Sequence, residues 1–349
     1  MSDAPTATVR LRRAPRLMPV LGKGVLTGIG KRPHPDAALP ATRLVLPTAR
    51  IDPARAAAYA RVCGFPDTGP LPVTYPHILG FPLAARLMSA RAFPLPLLGL
   101  VHTAIEIEQY APLHLDDRLE LTVFAGELRA HRRGTEVVMV TEARRAGRLV
   151  WTDRSSYLAR HGGPGGAEAA TPLPDGAEGA PTPPPDDRPP PAHAPPPDDD
   201  PLYAGTPPPD GAPSPEDGSP PEDGSPLRRA VWQLPAGLGR RHAAVSGDYN
   251  PIHLHPLTAR PLGFPRALAH GMWTFARCTA EALPPGTAPV RITAAFRAPA
   301  LLPTTVTYTQ QDAADGTGAT FTLRGTPAGT ARPRLHVCGN LTTDIPPRP

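Results

Sequence analysis

The chain has 349 residues, enough for two ordinary domains, and a formal net charge of +5. Its 53 prolines lie far above the roughly 5% usual in proteins, and its three cysteines, Cys63, Cys278 and Cys338, are far apart with no CxxC. With no apolar run near the roughly 18 residues of a membrane span, this composition excludes membrane insertion, a disulfide framework and a zinc knuckle, and predicts a soluble cytoplasmic protein with reduced thiols.

Residues 1–39 hold seven Lys and Arg against two Asp, and "LMPVLGKGVLTGIG" within them is broken by Pro and Gly. They read as a basic, solvated N-terminal arm. The first folded unit spans 40–162. Its helix-like stretch is "YPHILGFPLAARLMSAR", followed by alternating segments "AIEIEQYAPLHLDDRLELT", "EVVMVTEARR" and "RLVWTDRSSYLAR". Period-two alternation rich in Val, Ile, Thr and Tyr is a strand signal.

Residues 163–226 are Pro, Gly, Ala and acid, with 13 Asp and Glu against a single Arg, Arg188. Almost nothing there offsets the entropy of ordering, so the segment reads as a disordered, partly polyproline-II linker. Its net charge is −12, so the rest of the chain carries +17 with His neutral. A basic folded surface attracts anionic partners. No aromatic-interleaved basic motif points to nucleic acid.

The second folded unit, 227–346, repeats the first. "RITAAFRAPALLPTTVTYT" lies without a gap under "AIEIEQYAPLHLDDRLELT", Arg291 under Ala104 and Ala-Pro under Ala-Pro. "AHGMWTFARCTAEAL" supplies the helix, and "GATFTLRGT" and "RLHVCGNLTT" supply further strands. Each half thus predicts a long helix wrapped by an antiparallel sheet, an α+β layout.

The halves differ at "SGDYNPIHLHP", which precedes the helix of the second. The first has "CGFPDTGPLPVTYPH", with Asp67 but no Asn-Pro-x-His, and His77-Ile78 where the second has His270-Gly271. Three readings of the polar stretch stand side by side. His253 and His255, with Asp248 as a third ligand, suit a metal, although the spacing matches no common zinc pattern. Asp248 and Asn250-Pro251 suit a cap and a turn. Asp248 and His253 also suit acid–base work on a water, with the N–H of Gly271 at a helix start facing a developing oxyanion.

"VSGDYNPIHLHP" followed by "ALAHGMW" resembles the hydratase-2 signature of the MaoC-like dehydratases, a family of R-specific enoyl-CoA hydratases and 3-hydroxyacyl-thioester dehydratases. The match runs through Ser246, Gly247, Asp248, Asn250, Pro251, Ile252, His253, His270, Gly271 and Met272. The resemblance implies a tandem (double) hot-dog fold whose N-terminal copy is degenerate. It implies reversible syn hydration of trans-2-enoyl thioesters, or dehydration of (3R)-3-hydroxyacyl thioesters. Asp248 and His253 would be the catalytic dyad and Gly271 the donor to the thioester carbonyl. Ser246, Gly247, Asn250 and His270 would support them, and Thr279, eight residues after Gly271, would stand for a helix hydroxyl near the water. His255 ranks lowest. No metal or other cofactor is implied, because the substrate itself carries CoA or phosphopantetheine. The expected partners are acyl-CoA or an acyl carrier protein, and the expected form is a monomeric double hot dog or a homodimer. A non-catalytic acyl-thioester-binding protein, a dehydratase subunit and a thioesterase are the competing readings.

Overall fold

A computed structural model describes residues 7–97, 99–161, 227–326 and 332–346. The linker reading of 163–226 lies outside the described residues. In the first half the elements are β1 (Ala7–Arg10), α1 (Leu17–Gly28), β2 (Thr42–Ala49), α2 (Pro53–Cys63), α3 (Tyr75–Met88), β3 (Val101–Gln109), β4 (Leu119–His131), β5 (Gly134–Arg145) and β6 (Arg148–Arg160). In the second they are β7 (Leu227–Leu234), α4 (Leu238–Ser246), α5 (Pro256–Ala259), α6 (Gly271–Ala282), β8 (Val290–Phe296), β9 (Thr304–Asp312), β10 (Gly318–Gly325) and β11 (Leu335–Thr342).

All eleven strands form one sheet, in the order β1-β2-β4-β5-β6-β3-β8-β11-β10-β9-β7. From β3 outward the order is β3-β6-β5-β4-β2. From β8 outward it is β8-β11-β10-β9-β7, the same path in the second copy. The halves meet edge to edge through the antiparallel pair β3–β8, in which Glu106 faces Thr293. The ungapped alignment that sets Ala104 over Arg291 also sets Glu106 over Thr293, so the repeat in the sequence and the register of the seam describe one pseudo-two-fold. Each half wraps its strands around its long helix, which makes this α+β chain a double hot dog.

The long helices are the centre of each core. α6 buries Met272, Phe275, Ala276, Thr279 and Ala282, the i, i+3, i+4 spacing of one helical face. Phe275 is fully buried, a side chain whose transfer from water stabilises the fold by about 1.5–3 kcal/mol. α3 is buried on nearly all sides, and Gly80 lets it approach β5, because a Cβ there would sit 2.7 Å from Thr141. A single hydrophobic core runs through both halves.

Within the basic N-terminal arm, Ala7–Arg10 pairs in parallel with Thr42–Val45 while staying exposed, and α1 packs beside α3 with Gly24 as its buried residue. Gly24 is a packing contact, since a Cβ there would lie 2.5 Å from Leu97. Each half also opens with a strand and a short helix (β2–α2, β7–α4) that the sequence reading passed over. α2 carries ordinary punctuation, with Asp52 accepting from the N–H groups of Ala54 and Arg55, Pro53 next, and Gly64 left-handed at its end. Among the described residues no helix is long and apolar enough to cross a membrane.

Candidate active site

α4 stops at Gly247, whose positive φ of 83° and N–H bond to the Ala243 carbonyl end the helix and turn the chain. A short ladder of side-chain-to-backbone bonds shapes the loop beyond it. The N–H of Asp248 meets Ser246 Oγ at 3.2 Å, that of Asn250 meets Asp248 Oδ1 at 3.1 Å, and that of Ile252 meets Asn250 Oδ1 at 3.3 Å. Pro251 then opens a single 3-10 turn, Pro251–His253. The Ser, Asp and Asn of the motif therefore fold the loop, as the turn reading of this stretch expects.

The loop delivers His253 into a buried position. Its Nδ1 donates to the Leu268 carbonyl at 3.0 Å, which leaves Nε2 as the free lone pair. The N–H of Leu268 bonds back to the Ile252 carbonyl, tying the loop to the segment that leads into α6. His270, at the start of that helix, donates from Nε2 to the Asp248 carbonyl at 3.0 Å. Its ring stacks on that of His253 at 3.7 Å between centroids. Asp248, His253 and His270 bring ligand-type atoms within 4.8 Å of one another.

Burial and then the neighbouring His270 hold His253 well below the ordinary imidazole range. Burial likewise lowers His270, with Asp248 pulling the other way. Both rings are thus neutral near pH 7. Asp248 is the least buried of the three, 27% exposed, so water reaches it. Gly271 is the first residue of α6, so its N–H has no intrahelical acceptor. A Cβ there would stand 3.3 Å from the Phe296 ring, so glycine lets the head of α6 come close to that ring.

These three side chains are also the group that could hold a metal. Ligation at about 2.0–2.2 Å needs ring edges to converge on one point. Here His253 and His270 face each other across a stack, with one nitrogen of each bonded to a backbone carbonyl. His255 does not join them. It is exposed, and its Nδ1 caps α5 by accepting from the Leu257 N–H.

Thr279 lies eight residues along α6 from Gly271, about 12 Å at 1.5 Å per residue, and its buried hydroxyl donates to the Phe275 carbonyl at 2.9 Å.

Three residues escaped the sequence reading. Gly239 of α4 passes so close to His253 that a Cβ would stand 1.9 Å from that residue's carbonyl oxygen. His242, one turn on, is 1% exposed and packs its ring 4.5 Å from His270. Its signal was a polar residue on the face that buries Leu238, Ala243 and Val245. Arg55, from α2 of the other half, donates from Nε to the Val245 carbonyl at 2.6 Å and from Nη2 to that of Ser246 at 2.7 Å. It clamps the end of α4 just before the loop, and nothing in linear sequence links it there. Arg55→Ala should cost about 1–3 kcal/mol, the range for hydrogen bonds to a charged group. A lowered melting temperature, with Arg55→Lys restoring it only in part because Lys has no planar fork, would register this.

The sequence model of the MaoC like domain family matches residues 236–313. The 3-hydroxyacyl-thioester dehydratase X of Mycobacterium tuberculosis (strain ATCC 25618 / H37Rv) is 32% identical over 255 residues, covering 73% of this chain and 75% of that protein. A crystal structure of HtdX from Mycobacterium tuberculosis superposes with a TM-score of 0.60 at 30% identity, over 85% of this chain and 98% of that one. A MaoC-like dehydratase from Phytophthora capsici, at 14% identity and a TM-score of 0.55 over 91% and 97% of the two chains, shares the fold.

Proposed function

The chain belongs to the MaoC-like dehydratases, hydro-lyases by class, and from that premise we propose that it interconverts (3R)-3-hydroxyacyl and trans-2-enoyl thioesters at Asp248, His253 and Gly271. The observation that carries this is the convergence of a water-accessible carboxylate, a neutral imidazole with its free nitrogen fixed by the Leu268 carbonyl, and the N-terminal end of α6.

In hydration, a water held between Asp248 and His253 Nε2 gives a proton to that pair as its oxygen bonds to C3. The C2–C3 π electrons shift toward C2 and the thioester oxygen. The Gly271 N–H and the positive end of the α6 dipole stabilise that oxygen. The pair then returns a proton to C2 on the same face, and dehydration is the reverse sequence. His270 acts behind this exchange, holding the Asp248 backbone and the His253 ring. Nothing in the sequence of steps calls for a redox or metal cofactor, and the thioester brings its own CoA or phosphopantetheine. The +17 charge outside the linker segment favours either anionic carrier. Three buried, unpaired cysteines fit a reducing compartment, the cytoplasm.

The test is incubation of the full chain with trans-2-butenoyl-CoA. We expect the conjugated enone absorbance to disappear and the product to be the 3R alcohol. A 3S product, or no turnover with either the CoA or the carrier-protein thioester, overturns the proposal. The ratio of the two rates identifies the carrier.

A further inference from the structure

Behind the candidate pair lies a set of buried polar atoms that have no hydrogen-bond partner among the described residues. They are His242 Nδ1 and Nε2, His270 Nδ1, His102 Nε2 and the Tyr75 hydroxyl. They come from both halves: Tyr75 from α3, His102 from β3, His242 from α4 and His270 from the head of α6. Ring contacts join them into two arms. His242 packs 4.5 Å from His270 and 6.1 Å from Tyr59, which meets Tyr75 edge-on at 5.4 Å. His102 stacks 4.6 Å from Tyr157 and lies 6.0 Å, nearly parallel, from His77. His77 is anchored through Nδ1 to Asp153, a carboxylate only 1% exposed that also accepts from Ser155 Oγ at 2.7 Å. The arms meet at Phe296, whose ring centroid lies 4.8 Å from that of His102 and whose edge stands 3.3 Å from the place of a Cβ on Gly271, the residue after His270.

The first half therefore is not chemically blank. It lacks the Asn-Pro-x-His loop but contributes a buried Asp–His pair and two unpartnered polar groups to the same region. Native folds pair nearly all of their buried polar atoms, and stranding several in one place is costly. Imidazole nitrogens and a phenol hydroxyl together donate to and accept from small oxygen groups, and a buried oxygen needs two to four such partners.

We propose that Tyr75, His102 and His242, with His270, form a second polar subsite that takes oxygen atoms: ordered water, or an oxygen substituent on the acyl chain beyond C3. This rests on the reading of Asp248 and His253 as the acyl-thioester site only for its second source. The water arm needs no turnover at all.

The test has two arms. In a high-resolution crystal structure of the full chain without substrate, ordered oxygen density within about 2.6–3.2 Å of the His242 nitrogens assigns the subsite to water. In kinetics, kcat/KM for trans-2-hexenoyl-CoA is compared with that for its 5-hydroxy counterpart, in the natural chain and in His242→Leu and His242→Phe. A preference for the hydroxylated thioester that falls tenfold or more in the variants assigns it to a substituent. A uniform fall for both substrates, with density in the first arm, assigns it to water. No density and an unchanged ratio overturn the proposal, whatever the variants do to stability. If the Leu variant does not fold, the Phe variant and the density of the natural chain still decide. Density at His242 in a chain that turns over neither thioester leaves this inference standing and removes the proposed function instead.

Discussion

Asp248→Asn should lower kcat on the order of 10²–10⁴-fold while the protein still melts within a few degrees of the natural chain. The substitution is close to isosteric. It retains an oxygen at the position where Asp248 Oδ1 receives the Asn250 N–H, so the loop geometry survives. What it removes is the group that takes the proton from water. His253→Ala should cost as much in rate and more in stability, because it strips the Leu268 carbonyl of its donor and opens a buried space. The two losses should not add, since each residue acts on the same water. The pH profile carries a further check. Burial and His270 hold His253 well below the usual imidazole value of about 6.5. The neutral ring is the active form, so kcat/KM should stay level as pH falls through 6.5 and decline only when the depressed value is reached. Stopped assays of the natural chain and of both variants from pH 5 to 8 would measure this. Full activity in both, or an acid limb near 6.5 that disappears with His253, contradicts the assignment.

Much of this arrangement was legible because the relevant residues are contiguous. Ser246 to His253 act on one another across two or three positions, so one short motif contains the whole ladder of bonds that shapes the loop. β9 and β10 were equally legible, since strands buried on alternate residues announce themselves by period, while β5, β6 and β11, buried along most of their length, were legible by their β-branched and aromatic residues. β7 was not: "LRRAVWQL" is an edge strand, mostly exposed, with little pressure toward apolar residues. β2 contains Pro47, and its register with β4 breaks between Leu46 and Ala49, where that residue has no N–H to offer. α1 was not read as a helix, since Pro19 and two glycines break its apolar run. Pro19 falls in the first turn, where its missing N–H has no partner to lose. Arg55 on α4 and His242 against Tyr59 are contacts that exist only once the two halves are packed together, whereas Asp153 meets His77 within its own half but 76 residues away in sequence; no local pattern encodes either kind.

Gly239→Ala should abolish most activity although the residue carries no chemistry. On helix propensity alone the change is favourable by up to about 1 kcal/mol. Here the new Cβ would lie 1.9 Å from the carbonyl oxygen and 2.9 Å from the carbonyl carbon of His253. Both are backbone atoms, so no side-chain rotation relieves the overlap. α4 and the 3-10 turn must separate by an ångström or more. The turn is held on its other side by the bonds from His253 Nδ1 to the Leu268 carbonyl and from the Leu268 N–H to the Ile252 carbonyl. Separation therefore stretches those bonds and moves Nε2 away from Asp248. A displacement of about 1 Å in a reacting group costs on the order of 10²-fold, and overpacking of this kind costs about 1–3 kcal/mol of stability. We expect kcat/KM to fall at least about a hundredfold, with a melting temperature lower by several degrees. Gly237→Ala is the control: it lies two residues away, and its Cβ would meet only Arg240 Nη2 at 3.7 Å, an ordinary contact. It should leave both quantities unchanged. Natural kinetics in Gly239→Ala would mean that the turn tolerates displacement, and that the position of His253 is not what the close approach of α4 secures.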